Sequence, residues 1–174
     1  MNEKIFGEAK IDIAKKALTN YLTTREGLGA EDQLAMVVYP WNNFMAYMLY
    51  PTFSASVKPF TSRIDELRAK GPSPMGEGLK LAHDAAAKSF SDECMITLIY
   101  DGEYNQGIDP TEVAETILER GTKLEKIYLG EVAKAIGNSV IRALDEKTHS
   151  KTTVVQTAGE LYGTLITQHR MLAT

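Results

Sequence analysis

A chain of 174 residues, 44% apolar and 24% charged, is long enough for one domain with a full core and short for two. Its formal net charge of -4 does not suggest the clustered basic surface of a nucleic-acid partner. No window approaches the roughly 18 consecutive apolar residues of a membrane span, and the polar N-terminus lacks the apolar core of a signal peptide. The single cysteine, Cys94, excludes a disulfide framework or a cysteine-based zinc cluster. A cytoplasmic protein that engages neither membrane nor nucleic acid is the expectation.

No repeat, low-complexity run or linker divides the chain, so residues 1–174 read as a single domain. Residues 8–25 carry a helical period, with Ile11, Ala14, Leu18, Tyr21 and Leu22 on one stripe and Gly27 and Gly29 as the stop. The unbroken apolar run QLAMVVYP (33–40) predicts a strand covered on both faces. MAYMLYPTF (45–53) predicts another, placed near an edge by Pro51. A short helix over 61–70 turns Ile64 and Leu67 inward, and the rigid loop GPSP (71–74) feeds a longer helix over 75–90 along Leu79, Ala82, Ala86 and Phe90. CMITLIYD (94–101) is the clearest strand, six apolar residues ending in an acid before Gly102.

Asp109 then caps a helix whose first position is Pro110, with Glu112 placed to bond back, and that helix runs to about Arg120 and Gly121. A strand over 126–130, a helix over 138–147, a strand over 152–157 and a closing helix over 161–172 follow. Strands alternating with helices predict a doubly wound, mostly parallel α/β sheet. Such folds usually open on a central strand, whereas this chain reads as opening on a loop and a helix.

Three stretches together resemble the von Willebrand factor A (VWA) family. KIDIAKKAL (10–18) is similar to its first helix, GPSPMGEGL (71–79) to its G-G-T-P-L-x-x-G-L loop and helix, and ITLIYDG (96–102) to its fourth strand ending in T-D-G. The resemblance extends from Met1 to about Arg170. It implies a sheet ordered 3-2-1-4-5-6 and a metal-ion-dependent adhesion site (MIDAS) at the strand ends. There an Mg²⁺ or similar ion accepts an acidic side chain from a protein partner. The family's site combines a D-x-S-x-S motif after the first strand, a threonine in the second loop and an aspartate after the fourth strand.

No D-x-S-x-S occurs in this chain, so the resemblance implies a missing first central strand and a metal site reduced to Ser73 and Asp101. Either the reading frame begins upstream of Met1, or the protein lacks the strand and its site has degenerated. Two oxygen ligands plus water predict Mg²⁺ binding with a dissociation constant of about a millimolar or weaker. The open slot left by the strand predicts direct pairing of 33–40 with 94–101, self-association by strand exchange, or poor folding.

The functional readings stand beside plainer ones. Asp101 also suits an Asx-type turn, and Ser73 a turn or helix cap. Glu103 reaches a metal through water or is a solvated loop charge. Trp41 anchors a partner or plugs its own loop. Tyr100 is a packing residue, Gly78 permits close packing, and Cys94 is an inert core thiol. His83, His149 and His169 are scattered and read as surface or rim residues. With Ser73 and Asp101 as metal residues and Trp41 and Glu103 as partner-binding residues, the expectation is a non-enzymatic protein-interaction module. The resemblance names an AAA+ ATPase system as a partner class. Two alternatives stay open: a hydrolase or phosphotransferase using Asp101, and a structural subunit with a vestigial site. The enzyme reading lacks the glycine-rich phosphate loops and the nucleophile elbow.

Overall fold

The computed structural model describes the chain apart from Asn2, 29–31, Asn43, Lys70, Phe90, Asp92, Glu103, Asn105, 173–174 and the side chain of Leu172. In chain order its elements are β1 (Lys4–Ile5), β2 (Glu8–Ala9), α1 (Lys10–Gly27), β3 (Val37–Val38), β4 (Tyr47–Met48), α2 (Lys58–Ile64), α3 (Met75–Ala86), β5 (Met95–Tyr100), α4 (Pro110–Glu119), β6 (Lys123–Leu129), α5 (Val132–Ile136), α6 (Ser139–Thr148), β7 (Thr153–Val155) and α7 (Ala158–Leu172). They form two compact units, each assembled from separate stretches of sequence. One comprises Met1–Met36, Met48–Lys70 and Gln156–Thr174, and the other Val37–Tyr47 and Gly71–Val155.

In the first unit an antiparallel ribbon, β1–β2, precedes α1, where a plain loop was expected. Phe6 and Gly7, with φ of 51° and 88°, make its two-residue turn, a device that needs only one glycine to be recognised in sequence and was missed. Helix α1 packs on α7 and α2. It buries Ile13, Ala14, Ala17 and Leu22, so its inward stripe is rotated from the expected one through Ile11, Leu18 and Tyr21. The rotation brings two cations inside. Lys10 meets Glu3 at 2.6 Å, and Arg25, 2% exposed, meets Asp32 at 2.6 Å. Helix α2 starts three residues earlier than predicted, yet Ile64 and Leu67 are buried as expected. At the start of α7, Glu160 accepts from the Gln156 and Thr157 N–H groups at 2.7 and 3.2 Å, while its own N–H donates to Thr157 Oγ1 at 3.2 Å. This reciprocal capping box begins the helix before residue 161.

In the second unit β5, β6 and β7 form a parallel sheet in that order, with Leu98 opposite Lys126 and Tyr128 opposite Val154. Alternation along β5 buries Ile96, Leu98 and Tyr100 in a core with Leu79, Ile117 and Leu144. Helices α3, α4 and α6 pack side by side, with α3 against β5 and α4 against β6. Asp109 caps α4 as predicted, accepting from the Thr111 N–H at 2.9 Å and its hydroxyl at 2.8 Å, with Pro110 in the first turn. The predicted extension of α3 to Phe90 falls outside the described residues beyond Ser89, and the helix itself ends at Ala86.

Two expectations fail. The run 33–40 yields only the two-residue β3, none of its described residues fully buried, because it pairs with β4 in a ribbon and not within the main sheet. It does not close up against β5: among the described residues β5 has β6 as its ladder neighbour and no strand on its other edge. Lys126, hidden in a run that reads as plain strand, is 1% exposed. Its ammonium reaches Asp145 at 3.0 Å and the Ser150 carbonyl at 2.7 Å, bonds the Thr148 hydroxyl, and faces the Leu144 carbonyl at the end of α6. The cation thus ties β6 to the negative end of that helix. Burial lowers its pKa and the Asp145 carboxylate opposes that shift.

Candidate functional site

The strand-end face of the second unit begins where β5 stops. Tyr100, its last residue, is fixed from below: it is 2% exposed, meets the Tyr128 ring edge-on at 6.0 Å, and its hydroxyl lies 3.1 Å from Thr152 Oγ1. This confirms Tyr100 as a packing residue. Asp101 follows, half-buried, outside the strand. Gly102 then turns the chain with φ of 105°, and a Cβ there would sit 2.6 Å from Asn138 Nδ2 and 2.7 Å from the Tyr128 ring, so the position requires glycine on both counts. Asn138 does two jobs at once. Its amide oxygen caps α6 by accepting from Val140 and Ile141 at 2.9 and 3.0 Å, and its Nδ2 donates to the Gly102 carbonyl at 2.8 Å. Sequence reasoning missed this link, although an asparagine immediately before a helix was the available signal.

Ser73 is half-buried in the loop two residues before α3. The first turn of that helix packs on the segment that follows Asp101. A Cβ on Gly107 would meet Glu77 Oε1 at 2.9 Å, and one on Gly76 would meet the Ile108 carbonyl. Ser73 and Asp101 therefore belong to the same end of the unit. Glu103 lies outside the described residues. Tyr39, just past β3, packs against the Gly78 face of α3 and donates its hydroxyl to the Ile99 carbonyl at 2.9 Å. Burial first, and then the Asp101 carboxylate, push the Tyr39 phenol well above its ordinary range.

Trp41 is half-buried and stacks on Tyr47, with ring centroids 6.0 Å and planes 15° apart. His83 corrects the expectation of a rim residue. It is 5% exposed on α3, and neither ring nitrogen has a hydrogen-bond partner among the described residues. Burial lowers its pKa, so it sits neutral inside the unit. Its helical neighbours Leu79 and Ala82 gave the signal, because His83 shares their stripe. Cys94 is half-buried, not a core residue.

No family profile matches the chain. The uncharacterised protein YfbK of Escherichia coli K12 is 33% identical over 96 residues, 53% of this chain but only 16% of YfbK. The chain therefore spans under a fifth of the curated relative it matches. Solved structures are similar over far more. BatB from Bacteroides thetaiotaomicron superposes with a TM-score of 0.73 at 14% identity, over 98% of this chain and 91% of BatB. The VWA domain of SpRpn10 superposes with a TM-score of 0.62 at 14% identity, over 90% of this chain and 82% of that one.

The fold is von Willebrand factor A-like.

A further VWA-like neighbour is proximal thread matrix protein 1 from the mussel byssus, solved with a zinc-occupied MIDAS motif. It has a TM-score of 0.64 and 17% identity over 90% of this chain and 41% of that one. Against that precedent the donors here can be weighed. Ser73 and Asp101 offer hydroxyl and carboxylate oxygens, which suit a hard divalent cation in kind. Among the described residues, which leave out Glu103, no group of three or more His, Cys, Asp and Glu is placed to hold a metal. Among the described residues, no helix is long and apolar enough to cross a membrane.

Proposed function

We propose that the second unit is a protein-interaction module of the VWA type that binds its partner at the strand-end face carrying Asp101. The observation that supports this reading is the juxtaposition, at the end of a parallel sheet, of that carboxylate with a partly exposed aromatic hairpin. Open α/β sheets bind ligands at the carboxyl ends of their strands. We further propose that the metal site is incomplete. Ser73 and Asp101 would hold Mg²⁺ or a similar ion through two protein oxygens, Trp41 and Glu103 would contact the partner, and the ion would supply only a bridge to it. An acidic partner side chain, the ligand that the resemblance implies, depends on that bridge. An AAA+ ATPase system remains the partner class named by resemblance alone, and a cytoplasmic setting accords with the single cysteine. A second mode, self-association, is favoured by the apolar β5 edge, which has no strand neighbour among the described residues.

The test is calorimetric titration with Mg²⁺ and Mn²⁺, combined with affinity capture by the wild-type protein and Asp101→Ala, with and without EDTA. We expect a metal dissociation constant of about a millimolar or weaker and a captured partner lost with Asp101→Ala. Micromolar metal binding overturns the incomplete site. Capture indifferent to both EDTA and Asp101→Ala overturns the placement of the interface. Light scattering that finds only monomers at high concentration removes the self-association mode.

A further inference from the structure

Residues 41–47 place three aromatic rings and a methionine on one tight hairpin. The Trp41 N–H donates to the Phe44 carbonyl at 3.0 Å, and the Phe44 N–H donates back to Trp41 at 2.8 Å. Phe44 leans on Tyr47 at 5.5 Å from the side, while Trp41 stacks on the same ring. The rings are thus ordered by one another, yet Phe44 is 58% and Met45 36% exposed. Scattered exposed apolar residues need no explanation, but a self-stacked cluster at a strand-end face marks a contact surface.

The charge around the hairpin narrows the partner. Segments 37–47, 71–79 and 101–113 of this end contain the described acids Glu77, Asp101, Asp109 and Glu112 and no lysine or arginine; the cations nearest to them are the exposed Lys134 on α5, past the end of β6, and Lys147, which acts on Asp109. Met45 Cε and Glu77 Oε1 each come within 2.9 Å of the point where a Cβ on Gly107 would lie, so a carboxylate borders the apolar patch directly. The Asp101 carboxylate is close enough to act on Tyr39, two residues before Trp41. Electron-rich ring faces beside carboxylates attract a cation and repel an acid.

We infer that the aromatic hairpin and the carboxylates beside it form a docking surface for a basic segment of a partner protein, an arginine or lysine packing on the rings with its charge toward Glu77. The inference rests on the interaction-module reading and assigns its partner the opposite charge from a metal-bridged acid. Trp41 is the chain's only tryptophan, so its fluorescence reports on this hairpin directly.

The experiment titrates the full chain with acetylated tetra-arginine amide and, separately, with tetraglutamate, in EDTA and in Mg²⁺. Tetra-arginine is expected to shift Trp41 emission saturably. Phe44→Ala and Glu77→Gln should each weaken it by roughly fivefold, about the loss of one such contact. Glu26→Gln, on the exposed face of α1, should leave it unchanged. Far-UV circular dichroism confirms that the variants fold. Equal weakening by Glu26→Gln overturns the proposal, since the peptide then senses only net charge. A response to tetraglutamate in Mg²⁺ in place of tetra-arginine also overturns it, while leaving the interaction-module reading intact. Silence toward both peptides overturns it as well, and the capture experiment with Asp101→Ala then decides the broader reading separately.

Discussion

Adding one methyl group at Gly78 tests how closely α3 is fitted to Tyr39. A Cβ at this position would lie 2.7 Å from Tyr39 Cγ and 3.1 Å from Cε1, well inside ordinary contact, so the ring must move by about 1 Å. The ring is not free to do so, because its hydroxyl is tied to the Ile99 carbonyl at 2.9 Å. Overpacking of this kind costs about 1–3 kcal/mol and the strained hydrogen bond about 1 kcal/mol more. Alanine's better helix propensity returns at most about 1 kcal/mol. Gly78→Ala should therefore destabilise by about 2 kcal/mol, moving a urea midpoint down by about 1 M for a slope near 2 kcal/mol/M. In a Tyr39→Ala background the obstacle is gone and only the propensity gain remains, so the same substitution should stabilise. Urea unfolding followed by far-UV circular dichroism measures both arms without depending on the nearby Trp41. A Gly78→Ala effect of the same sign and size in the two backgrounds would refute the close-fit argument.

Three further outcomes follow from the same geometry. Asp109→Ala removes the α4 cap and should cost about 1 kcal/mol, a fall in Tm of about 2–4 °C. The Thr111 N–H holds the Asp109 carboxyl below its ordinary value of 3.8, so its contribution is present above that pH and lost as pH falls through the lowered value. The difference between wild type and variant should accordingly shrink on acidification, and a constant difference counts against the cap. His83 has the opposite chemistry. Its folded pKa is depressed by burial, so the unfolded chain gains the proton first and stability should decline as pH drops below 6.5. His83→Leu should flatten that decline and be neutral or stabilising by about 1 kcal/mol at pH 7, as read by urea unfolding at two pH values. Asn138→Asp keeps an acceptor for the start of α6 but turns a carboxylate toward the Gly102 carbonyl. Hydrogen exchange should therefore quicken at Gly102 and Tyr104 and stay slow within α6, whereas equal loosening of both would deny Asn138 its bridging role.

What was legible in the sequence was what local chemistry decides. CMITLIYD reads as a strand because six apolar residues of strand length leave no other inexpensive arrangement, and Asp109-Pro110 marks a helix start because each residue answers a need of the first turn. Features set by distant partners were hidden. Lys126 sits in a strand-like run and gives no sign that Asp145 and Ser150, far along the chain, will receive its charge. The stripe of α1 was rotated because Lys10 and Arg25 count as polar by type and are buried by pairing. QLAMVVYP looked doubly covered because apolar content cannot distinguish a strand inside a sheet from a ribbon beside it. At the candidate site the sequence points to Ser73, Asp101, Trp41 and Glu103 by resemblance and residue type, but not to the Asn138 link or the Glu77 border, which depend on the loop after β5 meeting two helices.

That meeting has a consequence for recognition. The loop carrying Asp101 leaves a strand whose last residue is locked between Tyr128 and Thr152, and two residues later Asn138 fastens the Gly102 carbonyl to the start of α6. The aromatic hairpin is ordered in turn by its own ring stack. If this face binds a partner as proposed, Tyr100, Gly102 and the rings of Trp41, Phe44 and Tyr47 are already held by contacts within the unit, and binding need not bear the entropy of ordering them, about 0.5–1.5 kcal/mol for each side chain immobilised. A face built this way gains affinity from a few fixed rings and charges without a large contact area. For that reason substitutions at Phe44 and Glu77, which do not disturb the core, are the informative ones.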